Sequence, residues 1–488
     1  MDIYKKFTKD VGIVGITEII MKLKPLIFLP IFTKTLGASD YGVYTTLIVT
    51  ITFFGTISSF GLGASIIRFL SSEKDKRILS SKFFSVCSFL SITSIISAFL
   101  MFIFAETLAN TVFGDPGSVE VIRIGSLLLP LSFVTTFIDY FRIRRQMLTF
   151  SLVKLSDTLG SIGLAVVFLL MGYGLLHVIY AFIITKIILI IISLILILKD
   201  IGLARPNLMI VGPYLKFGLP LVLGSLSISI LNVGDRYVIG FMMSSVAVGI
   251  YSVAYNLANV LLFFLHAIDT ALLAPLSKAY DESKMHQVKN YLSYSMKYFL
   301  MFSIPATIGL AILSPVIIRS LTTAEFVDGS MAITTIVALS NIMYGLYLIN
   351  VSVLFLIKRT TWSASLVIVA AIANIFLNIL LVPVLGIVGS AIATLICFTG
   401  QFIAASILSA PYIKISIDPV FLSKSIAAAS LMGIILYFIA PKGWVNIVLA
   451  VLLGAGIYFG VLFLLKAFKK TELKFFKSLI KRQEVILD

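Results

Sequence analysis

The sequence predicts an all-α integral membrane protein of about fourteen transmembrane helices: two six-helix lobes related by a parallel pseudo-two-fold repeat, plus two C-terminal helices. Three observations predict it. Hydrophobic residues make up 59% of the 488 and charged residues 12%, and the mean hydropathy is +1.10, so the chain has far too little polar surface for a soluble globule of this size. Its apolar runs mostly exceed about 18 residues, which suits spanning helices and not the roughly 10-residue alternating segments of a membrane barrel. Finally, short motifs recur about 207 positions apart.

Taken in order, the spans fall near 11–33, 41–67, 82–105, 120–138, 150–171, 175–198, 214–240, 247–274, 293–318, 331–356, 362–384, 387–410, 421–440 and 444–466. Lys5, Lys6 and Lys9 precede the first of these, which runs on to about Ile31 without a small-residue cleavage site. It reads as a retained span and not as a secretory signal.

The charge of +16 is ordered along the chain. With a cytoplasmic N-terminus, the inside segments hold about 30 of the 38 Lys and Arg, as the positive-inside rule requires. The outside loops hold Lys34, Arg123, Arg319 and Lys442, and they gather acids such as Asp40, Glu106, Asp115 and Glu325. Both termini are therefore expected in the cytoplasm of a multi-pass plasma (inner) membrane protein. The basic charge reflects topology, and nucleic acid is excluded as a partner. The tail from Lys466 to Arg482 reads as a basic amphipathic segment on an anionic leaflet, which makes membrane lipids a partner. Cys87 and Cys397 both lie in apolar runs, so neither a disulfide framework nor a metal-thiolate site is expected.

The repeat pairs Gly42-Val-Tyr44 with Gly249-Ile-Tyr251, and more weakly Gly172-Tyr-Gly174 with Gly386-Ile-Val-Gly389. An offset containing six spans leaves the two halves in the same membrane orientation. The expected division is an N-terminal lobe at 1–200, a C-terminal lobe at 201–411, two additional helices at 412–468 and a basic tail at 469–488.

The chemistry concentrates between Leu226 and Leu261, two apolar helices joined near Met243–Val246. At 100° per residue, Ser225, Ser229, Asn232 and Arg236 share an arc of about 60°. Ser252, Asn256, Asn259, His266 and Thr270 share about 80° on the next helix. Two polar stripes on otherwise apolar helices are expected to line a watery cavity.

Leu29-Pro-Ile-Phe-Thr-Lys-Thr-Leu-Gly-Ala-Ser-Asp-Tyr-Gly42-Val-Tyr44, Asp235-Arg-Tyr-Val-Ile-Gly240 with Val248-Gly-Ile-Tyr-Ser-Val-Ala-Tyr255, and Pro383-Val-Leu-Gly-Ile-Val-Gly-Ser-Ala-Ile-Ala-Thr394 resemble the Wzx-type polysaccharide biosynthesis flippases. That family belongs to the same MOP superfamily as the MATE exporters and the lipid II flippases. The resemblance covers nearly the whole chain. It implies a MATE-like, two-lobed carrier that moves a polyprenyl-(pyro)phosphate-linked oligosaccharide from the cytoplasmic to the outer leaflet by alternating access, as a monomer. It further implies polysaccharide polymerase and glycosyltransferase partners, and lumenal cations that meet the phosphate linkage. The matching cations are Arg236, Lys22 and Lys24.

Eight ionisable groups read as buried within the spans: Glu18, Lys22, Lys24, Asp157, Lys186, Asp235, Arg236 and Asp269. Each would cost about 2.5–3.5 kcal/mol facing lipid, so each is expected to pair or to face water. Glu18 and Lys22 are at i,i+4 and can pair along one helix. Asp157 can pair with Lys154, three residues earlier. Asp235 and Arg236 are adjacent and are expected to find partners on other helices, either a lock between helices or, for the guanidinium fork, phosphate oxygens. Asn374 and Asn378, with Asn341 and Tyr344, are candidates for sugar contact or for interhelical hydrogen bonds. The cytoplasmic Arg142, Arg144 and Arg145 are candidates for recruiting a pyrophosphate, or simply positive-inside charge.

No Gly-x4-Gly-Lys-Ser/Thr loop, His-Glu-x2-His or pair of catalytic carboxylates is present. A secondary carrier is therefore expected, with no catalytic residues, no bound metal and no cofactor. Export of an anion down the membrane potential, about 2.3 kcal/mol per charge per 100 mV, is one energy source. Exchange against H+ or Na+ at Asp235, Asp269, Glu18 or Asp157 is the other. The alternatives are a cation-coupled MATE-type multidrug exporter, which would favour an acidic lumen, and a membrane glycosyltransferase or ligase, which would need a large catalytic loop.

Overall fold

The computed structural model describes residues 2–416, 418–439, 441–468 and 472. Among them there is no strand, and thirteen stretches are long and apolar enough to cross a membrane. The difference from about fourteen lies in the first 59 residues. There the sequence predicts two spans, whereas a helix Asp2–Ser59 runs through both with one non-helical residue, Gly37 (φ 72, ψ −179).

Contacts divide the described chain into two units: residues 1–253 with 321–326 and 367–390, and residues 254–320 with 327–366 and 391–488. The first is built around the kink at Gly37. Breaking the helix leaves the Ala38 N–H without an intrahelical acceptor, and the Glu325 carboxylate accepts it at 3.0 Å while also accepting from the Thr323 hydroxyl at 2.9 Å. An acid is well placed at this helix start, where the backbone dipole is positive.

The predicted span 41–67 ends early, at Ser59. Phe60 (φ 48) and Gly61 (φ 69) turn the chain, and a second helix, Leu62–Leu70, follows. The turn lies close to another backbone: a Cβ on Gly61 would sit 2.3 Å from the Gly218 carbonyl oxygen. Likewise 214–240 is two helices, Gly212–Val233 and Asp235–Met242, and the fourth span is a series of short helices between Pro116 and Ile143. The core of this unit is aromatic, with Phe83, Phe137, Tyr140 and Phe141 buried among Leu62, Ile66 and Leu79.

At the centre of the first unit the repeated glycines meet. A Cβ on Gly42 would lie 1.8 Å from the Ser245 carbonyl oxygen, and one on Gly249 would lie 2.2 Å from the Ala38 carbonyl oxygen. Each contact is the other's counterpart at the repeat offset, and the Thr45 and Ser252 hydroxyls, 207 residues apart, approach to 3.4 Å. Such reciprocity marks a two-fold relation between the helices. Glycine is required at both positions because two backbones touch there.

The second unit packs the long helix Met285–Leu321 against Pro419–Ile439 and Trp444–Leu464. Its core joins Met301, Ala428, Ala429, Met432, Tyr458 and Leu462. The Tyr458 hydroxyl, fully buried, donates to the Met301 carbonyl at 2.8 Å and meets Ser425 at 2.7 Å. Gly433 lets Ile308 approach, since a Cβ there would stand 2.7 Å from it.

Candidate functional site

The Asp235–Arg236 pair is built by the break at Gly234. Asp235 Oδ1 accepts from the Arg236 backbone N–H at 2.9 Å and from Arg236 Nη1 at 2.8 Å. The same Nη1 donates to the Asn232 carbonyl at 3.1 Å, and Asp235 Oδ2 accepts the Tyr251 hydroxyl at 2.5 Å. Asp235 is 1% exposed and Arg236 4%. The expectation that the adjacent pair cannot meet is thus corrected. Angular spacing of Cα atoms does not bind an arginine, whose long stem folds back over the preceding carboxylate. The arrangement joins Asp235–Met242 to Ser245–Ala258 through Tyr251, and it is dry and hydrogen-bonded, the condition a buried ion pair needs.

The first unit holds a second, wetter group. Lys186 Nζ, on the helix Leu175–Ile201, reaches both Asp157 oxygens, at 3.0 Å and 3.2 Å. Lys154 Nζ reaches Glu18 Oε1 at 2.5 Å. Lys24 is half-buried and feels both Asp157 and Lys186 electrostatically. The side chains remain partly exposed, 19% and 17% for Lys186 and Asp157, 27% and 45% for Lys154 and Glu18.

One expected pairing is thereby corrected: Asp157 bonds Lys186 and not Lys154; Glu18 bonds Lys154, and its expected pairing with Lys22 lies outside the described residues. The physical reason is a π-helical turn at Ser156–Gly160. Its wider winding takes Asp157 off the ordinary helical register with Lys154 and aims it at the neighbouring helix. The group's five side chains come from three helical stretches, 2–59, 147–160 and 175–201, and three lysines face two carboxylates. It carries one surplus positive charge in a half-wet setting, which can receive an anionic oxygen cluster.

The remaining predicted residues separate. Asn374 and Asn378 are buried. Asn378 donates to the Asn374 carbonyl at 2.8 Å and to its side-chain oxygen at 3.1 Å, and Ser390 donates to Asn378, an interhelical bond. Asn259 accepts from Asn341 at 3.2 Å, again between helices. Asn232 and Asn256 are half-buried and His266 is exposed. The side chains of Lys22 and Asp269 lie outside the described residues. Arg144 is held by Asp200 at 2.9 Å, which also accepts from Tyr140 at 2.8 Å and Lys76 at 2.9 Å. Of the basic tail, Glu472 is described; it accepts from Lys297 at 2.7 Å and 2.9 Å in a buried pair.

Sequence reasoning missed three participants. Tyr251 registers in the sequence as a repeat marker, with nothing to flag its hydroxyl as the partner of Asp235. Lys154 falls outside the count of buried charges. Asp139 is left outside the fourth span when that span is closed at 138, yet it sits inside the helix Val134–Ile143.

The comparisons agree with this architecture. A model of the polysaccharide biosynthesis protein family matches residues 7–280, more than half of the chain, and the MatE model matches 220–380. The probable low-salt glycan biosynthesis flippase Agl15 of Haloferax volcanii is 24% identical over 230 residues, 47% of this chain and 48% of its own length. The probable flippase AglR of the same organism is 27% identical over 235 residues, 46% of this chain and 48% of its own. Alignment thus spans about half the length of these curated relatives. Among solved structures, lipid II flippase MurJ in an inward closed conformation superimposes with a TM-score of 0.78 at 17% identity, covering 96% of this chain and 99% of that one, a likeness of fold. On the match over 7–280, the chain belongs to the polysaccharide biosynthesis protein family.

Proposed function

We propose that the protein is a flippase: it moves a polyprenyl-(pyro)phosphate-linked oligosaccharide from the cytoplasmic to the outer leaflet by alternating access of two repeat lobes, 1–200 and 201–411. It does so as a secondary carrier in the plasma membrane, with both termini in the cytoplasm. The observation that carries the reading is the Lys24, Lys154 and Lys186 group, cationic by one charge and partly wet, on a chain whose relatives are described as a probable glycan biosynthesis flippase and a probable flippase. A phosphate entering this group would exchange the carboxylates of Asp157 and Glu18 for its own oxygens at little cost in desolvation. Arg236 serves in the closed lock with Asp235 and Tyr251, and it reaches phosphate only when that lock opens. Lys22, whose side chain lies outside the described residues, is a further phosphate contact in this reading. The half-buried Asn232 and Asn256 offer amides to the sugar, and H+ or Na+ exchange supplements the drive of the membrane potential. Polymerase and glycosyltransferases act after and before it on the same glycan.

Orientation of a lipid-linked oligosaccharide in inverted vesicles, read with a lectin, tests this. Protein-dependent translocation that falls at least tenfold in Lys186→Ala supports the reading. Absence of translocation with several glycan donors overturns it. The MatE match over 220–380 favours drug export as the second reading, and drug accumulation in a strain lacking its own exporters decides between them.

A further inference from the structure

The second unit carries an ion pair whose halves have different origins. Lys297 belongs to the long helix Met285–Leu321, whereas Glu472 lies beyond the last span, Trp444–Leu464. Lys297 Nζ donates to both oxygens of Glu472, at 2.7 Å and 2.9 Å, and Tyr298 is hydrogen-bonded to the same carboxylate. The two side chains are 7% and 3% exposed. The ammonium also stands 4.6 Å from the centre of the Phe421 ring, against which Phe468 packs. An acid from outside the spans is thus seated in the interior of the unit.

Lys297 is also part of the wall of an open cleft of about 280 Å³. Lys289, Ser293 and Lys297 recur at every fourth residue, so they share one face of their helix and line the cleft as a row. Lys289 is exposed and forms no hydrogen bond or ion pair among the described residues. The Ser293 hydroxyl is shielded from water and has no hydrogen-bond partner there, a costly arrangement for a donor. The acid in the wall is already engaged: Asp418 Oδ1 accepts from the Val420 and Phe421 N–H groups, at 3.1 Å and 3.0 Å, at the start of Pro419–Ile439, where the backbone dipole is positive. The count of idle donors sets the class of ligand. A carboxylate has two oxygens, and Lys297 holds both of those of Glu472. A ligand that serves Lys297, Lys289 and Ser293 together needs a third oxygen, and a phosphate group supplies it along with its negative charge.

We propose that this cleft is a binding site for a phosphate-type anion, free or at the head of a lipid, with Lys297, Lys289 and Ser293 as its ligands and Glu472 as a built-in stand-in that leaves when the anion binds. Exchange of one anion for the other keeps the buried ammonium neutralised, which a buried charge requires. Occupancy by phosphate and seating of Glu472 exclude each other. The site is made of other residues than the Lys24, Lys154 and Lys186 group, and it does not rest on the flippase reading.

The test titrates the full-length protein in phosphatidylcholine nanodiscs with radioactive inorganic phosphate, and reads retained lipid by native mass spectrometry after reconstitution with phosphatidic acid. Glu472→Gln removes the competing charge while keeping the shape, so it should bind phosphate at least tenfold more tightly than wild type. Ser293→Ala on that background should weaken binding several-fold, and the double variant Lys297→Met, Glu472→Gln should lose it. Lys442→Gln, in the loop at the far end of Pro419–Ile439, should change nothing. Counting only the signal that the double variant loses excludes phosphate held by the first unit. Should Glu472→Gln melt lower because Lys297 has lost its carboxylate, phosphate is expected to restore its melting temperature and not that of the double variant. Retention of phosphatidic acid with this dependence, without binding of free phosphate, assigns the lipid headgroup; binding of both assigns phosphate in general. Binding of neither, or binding equal in wild type, Glu472→Gln and the double variant, overturns the proposal. Because no glycan is used, lost translocation with this binding intact counts against the flippase reading alone.

Discussion

Two charged groups in the first unit solve the same problem in opposite ways. Asp235 and Arg236 are buried and bonded to each other: every oxygen of the carboxylate has a donor, and Arg236 Nη1 donates to Asp235 and to the Asn232 carbonyl. The Lys24, Lys154 and Lys186 group is half-wet and cationic by one charge. The difference teaches that position on a polar stripe does not identify a working charge. A charge with saturated bonds and no water holds helices together, whereas surplus charge with access to water is available to a ligand.

The sharpest way to break this contrast is Asp235→Ala. It leaves Arg236 buried without its carboxylate, which should cost about 3–5 kcal/mol, read as a fall in melting temperature or loss of monodisperse protein. A fall worth less than about 1 kcal/mol would mean that the lock is not structural. The replacement of both partners by Asp235→Leu and Arg236→Met should be much milder.

The wetter group should behave conversely. Lys186→Ala or Lys24→Ala is expected to remove a charge-assisted contact worth about 1.5–3 kcal/mol, a roughly 10–100-fold loss of translocation, with melting little changed. If melting fell as far as in Asp235→Ala, the two groups would be alike and the contrast would fail.

A third substitution tests the frame on which both groups sit. Gly42→Ala places a methyl 1.8 Å from the Ser245 carbonyl oxygen and should cost about 1–3 kcal/mol by overpacking, with Gly249→Ala close behind. Gly15→Ala, which meets nothing within 4 Å, should be near neutral in the same thermal assay.

The smallest effect belongs to a surface pair. The Lys82 ammonium, hydrogen-bonded to Glu73 at 2.8 Å, holds the Glu73 carboxyl below its ordinary range. A depressed carboxylate contributes stability that is present above the unfolded-state value and lost as the pH falls through the folded one. Wild type and Glu73→Gln should therefore differ slightly near pH 6 and converge below about pH 4, the unfolded glutamate titrating near 4.3. A gap that widens on acidification would contradict the pair.

Much of the fold was legible because the membrane imposes it. A run of apolar residues long enough to span must be helical, and the two C-terminal spans at 421–440 and 444–466 reappear as Pro419–Ile439 and Trp444–Leu464. Breaks within spans were not legible. Gly37 and Gly61 resemble the other glycines in sequence, and only an outside acceptor such as Glu325 or a close neighbouring backbone such as Gly218 fixes the break. The candidate site divides along the same line. Lys24, Asp157 and Lys186 stand out as charges in apolar runs, but their pairing depends on a π-turn that no residue pattern announces. Asp139 was lost to a boundary drawn one residue short.

By itself the sequence determined the solvent, the helices and the repeat whose glycines meet at Gly42 and Gly249. Each of these follows from local composition or from spacing along one chain, and a bilayer enforces them strongly. Tertiary structure alone decided which charge meets which, Lys186 with Asp157 and Lys297 with Glu472 among them. Those outcomes depend on distances of about 3 Å between helices remote in sequence, and hydropathy and periodicity carry no information about them.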